Sequence, residues 1–218
     1  LAVTAARNNG SRVPVPSDSA SYPAVNSQRS GSGQEAERVS NGLKEFLWNL
    51  DGLGRGKLLD LGPAWQTTLS FFIERGFRVS SEDLLRAWKE FLIAEEKSLQ
   101  TAVVGGLESV DMTAEGRAIR FLSANLQYPP SSFDAVLLWD LLDYLEPALV
   151  RRVVAQLTEL LRPGGVVFAM FHSRKPERFQ RYRVADSMTL QMLPGAEIFQ
   201  AQRIYQNREI QDLFRPFR

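Results

Sequence analysis

The sequence predicts an α/β fold, a doubly wound and mostly parallel sheet with helices on both faces, and three features carry that reading. Lys57-Leu58-Leu59-Asp60-Leu61-Gly62 is a short apolar strand that ends in Asp-x-Gly. One helix later, Gly76-Phe77-Arg78-Val79-Ser80-Ser81-Glu82-Asp83 supplies a second strand that ends in an acid. Further on, Phe133 to Trp139 and Val166 to Phe171 are largely apolar runs entered from turns, the pattern of strands covered on both faces. Apolar strands alternating with helical stretches form parallel sheets, and a ligand then lies beyond the carboxyl ends of the strands, at the topological switch point.

Residues 1–33 are rich in Ser, Asn, Pro, Gly and Ala without apolar periodicity, so a disordered tail is expected there, with one domain over 34–218. Val39, Leu43, Phe46, Leu47 and Leu50 recur at helical spacing and predict an amphipathic helix over 34–50. Gly52, Gly54 and Gly56 stop it. Thr67 or Thr68 is the expected cap of the next helix, which ends at Gly76. Asp83 to Leu99 reads as a helix with Leu84, Leu85, Trp88, Phe91 and Leu92 inward, and the stretch Thr101 to Gly106 is left unassigned. Ile119 to Leu122 is the expected third strand, with a helix over Thr113 to Ser123 as the alternative. Leu149 to Leu161 is an amphipathic helix, and Arg162-Pro163-Gly164-Gly165 turns the chain into the fifth strand. After His172, a strand is expected within Tyr182 to Phe199 and a helix over Asn207 to Phe214.

In its 218 residues, 44% of them hydrophobic, the chain has enough apolar material for a sizeable core. Twenty-six basic against 25 acidic side chains leave a net charge of +1, which gives no broad field for nucleic acid or an anionic membrane. With no cysteine, disulfides and thiolate chemistry are excluded, and the single histidine, His172, argues against a metal site. No run approaches the roughly 18 apolar residues of a membrane-spanning helix. A cytoplasmic protein acting on a small molecule is the expected class, with a protein partner as a further option.

The Asp60 to Asp83 spacing, the intervening Gly76 and the turn Leu161-Arg162-Pro163-Gly164-Gly165 resemble the class I S-adenosylmethionine-dependent methyltransferases (type 11/12-like) over about residues 40–172. The family's Asp-x-Gly-x-Gly-x-Gly reads Asp60-Leu61-Gly62-Pro63-Ala64-Trp65-Gln66 here, so one loop glycine remains and the loop is degenerate. The resemblance implies a Rossmann-like fold and S-adenosylmethionine as cofactor, with no metal. It also implies a closing antiparallel strand pair, and against that pattern the chain reads as short at its C-terminal end.

On that resemblance the cofactor frame is Asp60, Gly62, Ala64, Asp83, Asn125, Leu126 and Asp140. A carboxylate at the tip of the second strand accepts bonds from both ribose hydroxyls, which assigns that role to Asp83, with Glu82 as the neighbouring substitute. The same Asp83 is also a favoured helix N-cap. Asn125 stands where the family carries an adenine-binding acid, and the Leu126 N–H where it reaches the ring. Base candidates are Asp140, Asp143 and Tyr144, the last standing where many relatives have histidine; His172 ends the fifth strand nearby. An Asn/Asp-Pro-Pro-Tyr/Phe motif is absent after the fourth strand, which argues against amino-group DNA methylation. The run Arg174, Lys175, Arg178, Arg181 and Arg183 reads as a solvated loop or a protein contact rather than a phosphate track. The expected activity is methyl transfer to a small acceptor; the alternatives are a catalytically inactive binding module and, last, a dinucleotide oxidoreductase, whose pyrophosphate the Ala64 and Gln66 side chains would crowd.

Overall fold

The computed structural model describes residues 2–8, 36–102, 111–195 and 199–217. Their elements are β1 (Ala2–Asn8), β2 (Ala36–Val39), α1 (Asn41–Leu50), β3 (Gly56–Asp60), α2 (Gln66–Ile73), β4 (Phe77–Ser81), α3 (Leu84–Ala102) and α4 (Ala114–Ala124). They continue with β5 (Phe133–Trp139), α5 (Pro147–Leu160), β6 (Leu161–His172), β7 (Gln180–Val184), β8 (Thr189–Pro194) and α6 (Asn207–Leu213). Five strands form one all-parallel sheet in the order β1-β6-β5-β3-β4, and a separate antiparallel sheet has the order β2-β8-β7. The α/β, Rossmann-like fold read from the sequence is the fold observed.

Strand alternation divides the core into two layers. Leu59, Val136, Leu138, Val167, Ala169 and Phe171 face one side, where α3, α4 and α5 pack with Trp88, Phe121 and Val153. Leu58, Ala135, Leu137, Trp139, Phe168 and Met170 face the other, against α1, α2 and the small sheet, with Phe46, Phe72, Tyr182 and Leu190. The central strands β3, β5 and β6 are thus apolar on both faces because both faces are covered. Pro147 begins α5, where its missing N–H costs nothing, and Gly164 takes φ 83° in the turn before Val166.

Several expectations are corrected. The helix expected over 34–50 is α1 alone: residues 36–39 are strand β2, Ser40 caps α1 by accepting from Leu43 N at 3.1 Å, and Val39 is exposed rather than inward. Neither Thr67 nor Thr68 caps α2, which starts at Gln66 after Trp65; Thr68 lies inside the helix, fully buried. The third strand expected at Ile119–Leu122 is helix α4, the alternative reading of that stretch. Thr113 caps it through Gly116 N, Ala118, Phe121 and Leu122 point inward at helical spacing, and Arg117 and Arg120 hold Glu95 of α3.

The expected disordered tail begins with a strand, since the backbone of Ala2–Asn8 pairs in parallel with Val166–His172. The exposed edge of β6 offers unpaired N–H and C=O groups to any extended segment, which composition does not reveal. The rest of that tail, 9–33, lies outside the described residues, as do 103–106 of the unassigned stretch. Beyond His172 the single expected strand is a hairpin, β7 and β8, and it joins β2 rather than the edge of the main sheet.

Candidate functional site

The carboxyl ends of β3, β4 and β5 converge on one crevice. Asp60 ends β3 with its side chain fully buried, and its Oδ1 accepts from Gly62 N at 2.9 Å and from Trp139 Nε1 at 2.7 Å. Asp60 Oδ2 is buried without a partner among the described residues. Burial pushes the carboxyl up to about 6, the two donated hydrogen bonds oppose that rise, and the charge of Asp83 adds to it. The single loop glycine has a steric reason to be there: a Cβ on Gly62 would lie 2.6 Å from Trp139 Nε1. Ala64 is exposed on the loop before α2.

The two acids after β4 divide the expected roles. Asp83 Oδ1 accepts from Arg86 N at 3.2 Å, so it caps α3, and from Arg181 Nη1 at 3.0 Å, an ion pair mostly shielded from solvent. Glu82 turns toward the segment after α4: its Oε2 accepts from Leu126 N at 3.4 Å, and its Oε1 accepts from the Tyr128 hydroxyl. Burial and this carboxylate push the Tyr128 hydroxyl up to about 12. Leu126 is presented to Glu82 by a left-handed backbone turn, φ 56°. Asn125 ends α4, and its side-chain amide donates back to Phe121 O at 2.8 Å.

Below the crevice lies a buried cluster. After β5, residues Leu141–Tyr144 make one turn of 3-10 helix, which directs Asp143 inward. Asp143 Oδ2 accepts from His172 N at 2.7 Å and contacts His172 Nδ1 at 2.9 Å, while His172 Nε2 faces Asp140 Oδ2 at 3.6 Å. Tyr182 hydrogen-bonds the Asp140 carboxyl, which burial pushes up to about 7; the Asp143 charge raises it further and His172 opposes the rise. Tyr144 stands edge-on to His172 with its hydroxyl buried and without a partner among the described residues, and burial raises that hydroxyl far above its ordinary value.

Of the residues expected to frame a cofactor, Asp60, Gly62, Asp83 and Asp140 lie around the crevice and Leu126 is bound to Glu82 beside it, whereas Ala64 is exposed on its loop and the Asn125 side chain turns back onto α4. Carboxylates around the crevice could accept from the hydroxyls of an adenosyl group, but the space does not fit one. The cavity among Leu61, Gly62, Trp139, Asp140, Arg181 and Tyr182 measures about 20 Å³. That holds about one water, whereas sites for cofactor-sized ligands run to several hundred Å³. Sequence reasoning missed the side chains that fill it. Trp139 stacks on Tyr182 with ring centres 6.4 Å apart and 9° between planes, and Arg181 lies 4.9 Å from the centre of the Phe179 ring. The sequence places Arg181 in a run that reads as a solvated loop or a protein contact, and its pairing with an acid 98 residues earlier leaves no local signal.

No helix among the described residues is long and apolar enough to cross a membrane. No protein-family model matches the chain. A curated ubiquinone biosynthesis O-methyltransferase of Leptothrix cholodnii is 29% identical over 156 residues, which is 71% of this chain. The chain spans 59% of the length of that relative. Among solved structures, the PH0226 protein of Pyrococcus horikoshii OT3 matches 75% of this chain and 92% of its own, at 16% identity and a TM-score of 0.30. In its curated relative and in its own sheet architecture, the chain resembles the class I S-adenosylmethionine-dependent methyltransferases.

Proposed function

We propose that the chain carries out S-adenosylmethionine-dependent methyl transfer to a small-molecule acceptor. The observation that supports this best is the placement of Asp60, Glu82 and Asp83 at the carboxyl ends of adjacent parallel strands, in a chain similar to an O-methyltransferase. In this reading Asp83 or Glu82 takes the sugar hydroxyls, and the Leu126 N–H serves the adenine ring. Asp140 is the base of choice among the three candidates. Its carboxyl titrates near neutrality, as a base working at neutral pH should, whereas Asp143 is committed to His172 and the Tyr144 hydroxyl is held protonated. Positioning alone supplies much of the rate in an in-line transfer, so a short set of catalytic residues suffices.

A second reading, a binding module without catalysis, is favoured by one observation, the crevice of about 20 Å³. Incubation with methyl-labelled S-adenosylmethionine and a small-molecule extract separates the two. Label transfer that disappears in the Glu82→Ala/Asp83→Ala double variant supports methyl transfer. The absence of both label transfer and S-adenosylhomocysteine binding in a folded chain favours the module.

A further inference from the structure

The crevice is closed by side chains held there by specific geometry. Between Leu137 and Trp139 the β5–β6 register slips, so that Leu137 pairs with Phe168 and Trp139 with the next residue, Ala169. Two steps along β5 thus match one along β6, the signature of a bulge, and bulges re-aim side chains. Trp139 also takes φ 52°, a left-handed backbone that a bulky residue rarely adopts and that concentrates at functional and switch positions. Together these turn the indole onto Gly62, where its N–H occupies Asp60 and its ring is sandwiched with Tyr182. At the other acid, Arg181 supplies Asp83 with the donor that a sugar hydroxyl would otherwise offer.

We propose that the adenosyl site is occupied by the chain's own Trp139 and Arg181, and that the nucleotide binds only by displacing them, with the Arg181–Asp83 pair as the latch. This rests on the methyl-transfer reading. A ligand that needs the open form binds with its intrinsic affinity reduced by the fraction of molecules that are open, so weakening the latch strengthens binding. Arg181 is the residue to change, because β7 holds its backbone within the small sheet while its side chain reaches across to α3.

The test is calorimetric titration of the full chain with S-adenosylhomocysteine, wild type against Arg181→Ala, with circular dichroism to verify folding. The expected result is weak binding by wild type and affinity about tenfold or more higher in Arg181→Ala. Should Arg181→Ala fail to fold, Trp139→Phe, which frees Asp60 from the indole N–H, takes its place with the same expectation. Wild-type binding that the variant leaves unchanged or weakens would overturn the self-occupied site and leave methyl transfer standing. No binding by folded wild type and folded variant would overturn both.

Discussion

The indole N–H of Trp139 donates to Asp60 Oδ1 at 2.7 Å, joining the ends of two adjacent central strands through residues 79 apart in sequence. Both groups are buried, so the bond is shielded from competition by water. Trp139→Phe keeps an aromatic ring there but withdraws the donor from a buried carboxyl. A loss of about 1.5–3 kcal/mol is expected, as for hydrogen bonds to charged groups. Urea unfolding should show a lower midpoint with an unchanged slope.

Gly62→Ala places a methyl group 2.6 Å from Trp139 Nε1. Because Trp139 is clamped between Gly62 and Tyr182, the added carbon overpacks the crevice, at a cost of about 1–3 kcal/mol. In a double-mutant cycle with Trp139→Phe, the two losses should be less than additive. Strict additivity would show that Gly62 is required for its backbone and not for its missing side chain.

Asp60 titrates near 3.8 when unfolded and near 6 when folded. Between those values the folded chain holds a proton that the unfolded chain has released. This contribution therefore favours folding below about pH 4, declines as the pH rises to about 6, and is level above that. Asp60→Asn does not titrate, and its oxygen still accepts from Gly62 and Trp139. Stability measured from pH 4 to pH 7 should shift in the variant's favour, relative to wild type, by on the order of 3 kcal/mol.

Thr68 Oγ1 accepts from Val184 N at 3.0 Å, tying the small sheet to α2. Thr68→Val retains the shape and strands a buried N–H, so a loss of about 1–3 kcal/mol is expected. Amide hydrogen exchange at Val184 should accelerate well beyond that of its neighbours in β7.

His172 is the chain's one histidine, which makes its ring nitrogens individually observable by NMR. With Asp143 Oδ2 at 2.9 Å from Nδ1, the neutral ring should carry its proton on Nδ1. Asp143→Ala removes that acceptor and the acceptor of His172 N together, so the Nδ1–H preference should disappear along with about 3 kcal/mol of stability.

Strands β3, β5 and β6 were legible because each is a largely apolar run entered from glycines or a turn, with both faces covered, and the edge strand β4 was legible from Gly76 before it and the acids after it. Ile119–Leu122 misled because four residues do not distinguish the two periods; the pattern appears only when Ala118 and Phe121 are counted inward and the exposed Ile119 outward. Strand β1 was hidden for a different reason, since its order comes from the edge of β6 and not from its own composition. At the site, the acids were legible because chemistry demands them at strand ends. What fills the space between them was not, because it depends on a backbone bulge at Trp139 and on Arg181 arriving from β7.

Trp139 also provides an optical reporter. Its indole is 5% exposed and bonded to a carboxyl, whereas Trp48 is 76% exposed. Acrylamide should quench the red-edge emission of Trp48 while sparing the shorter-wavelength light from the buried Trp88 and Trp139. A rotation of the Trp139 ring out of the crevice would register as a newly quenchable component, so the closing of this site can be followed in real time without attaching a dye.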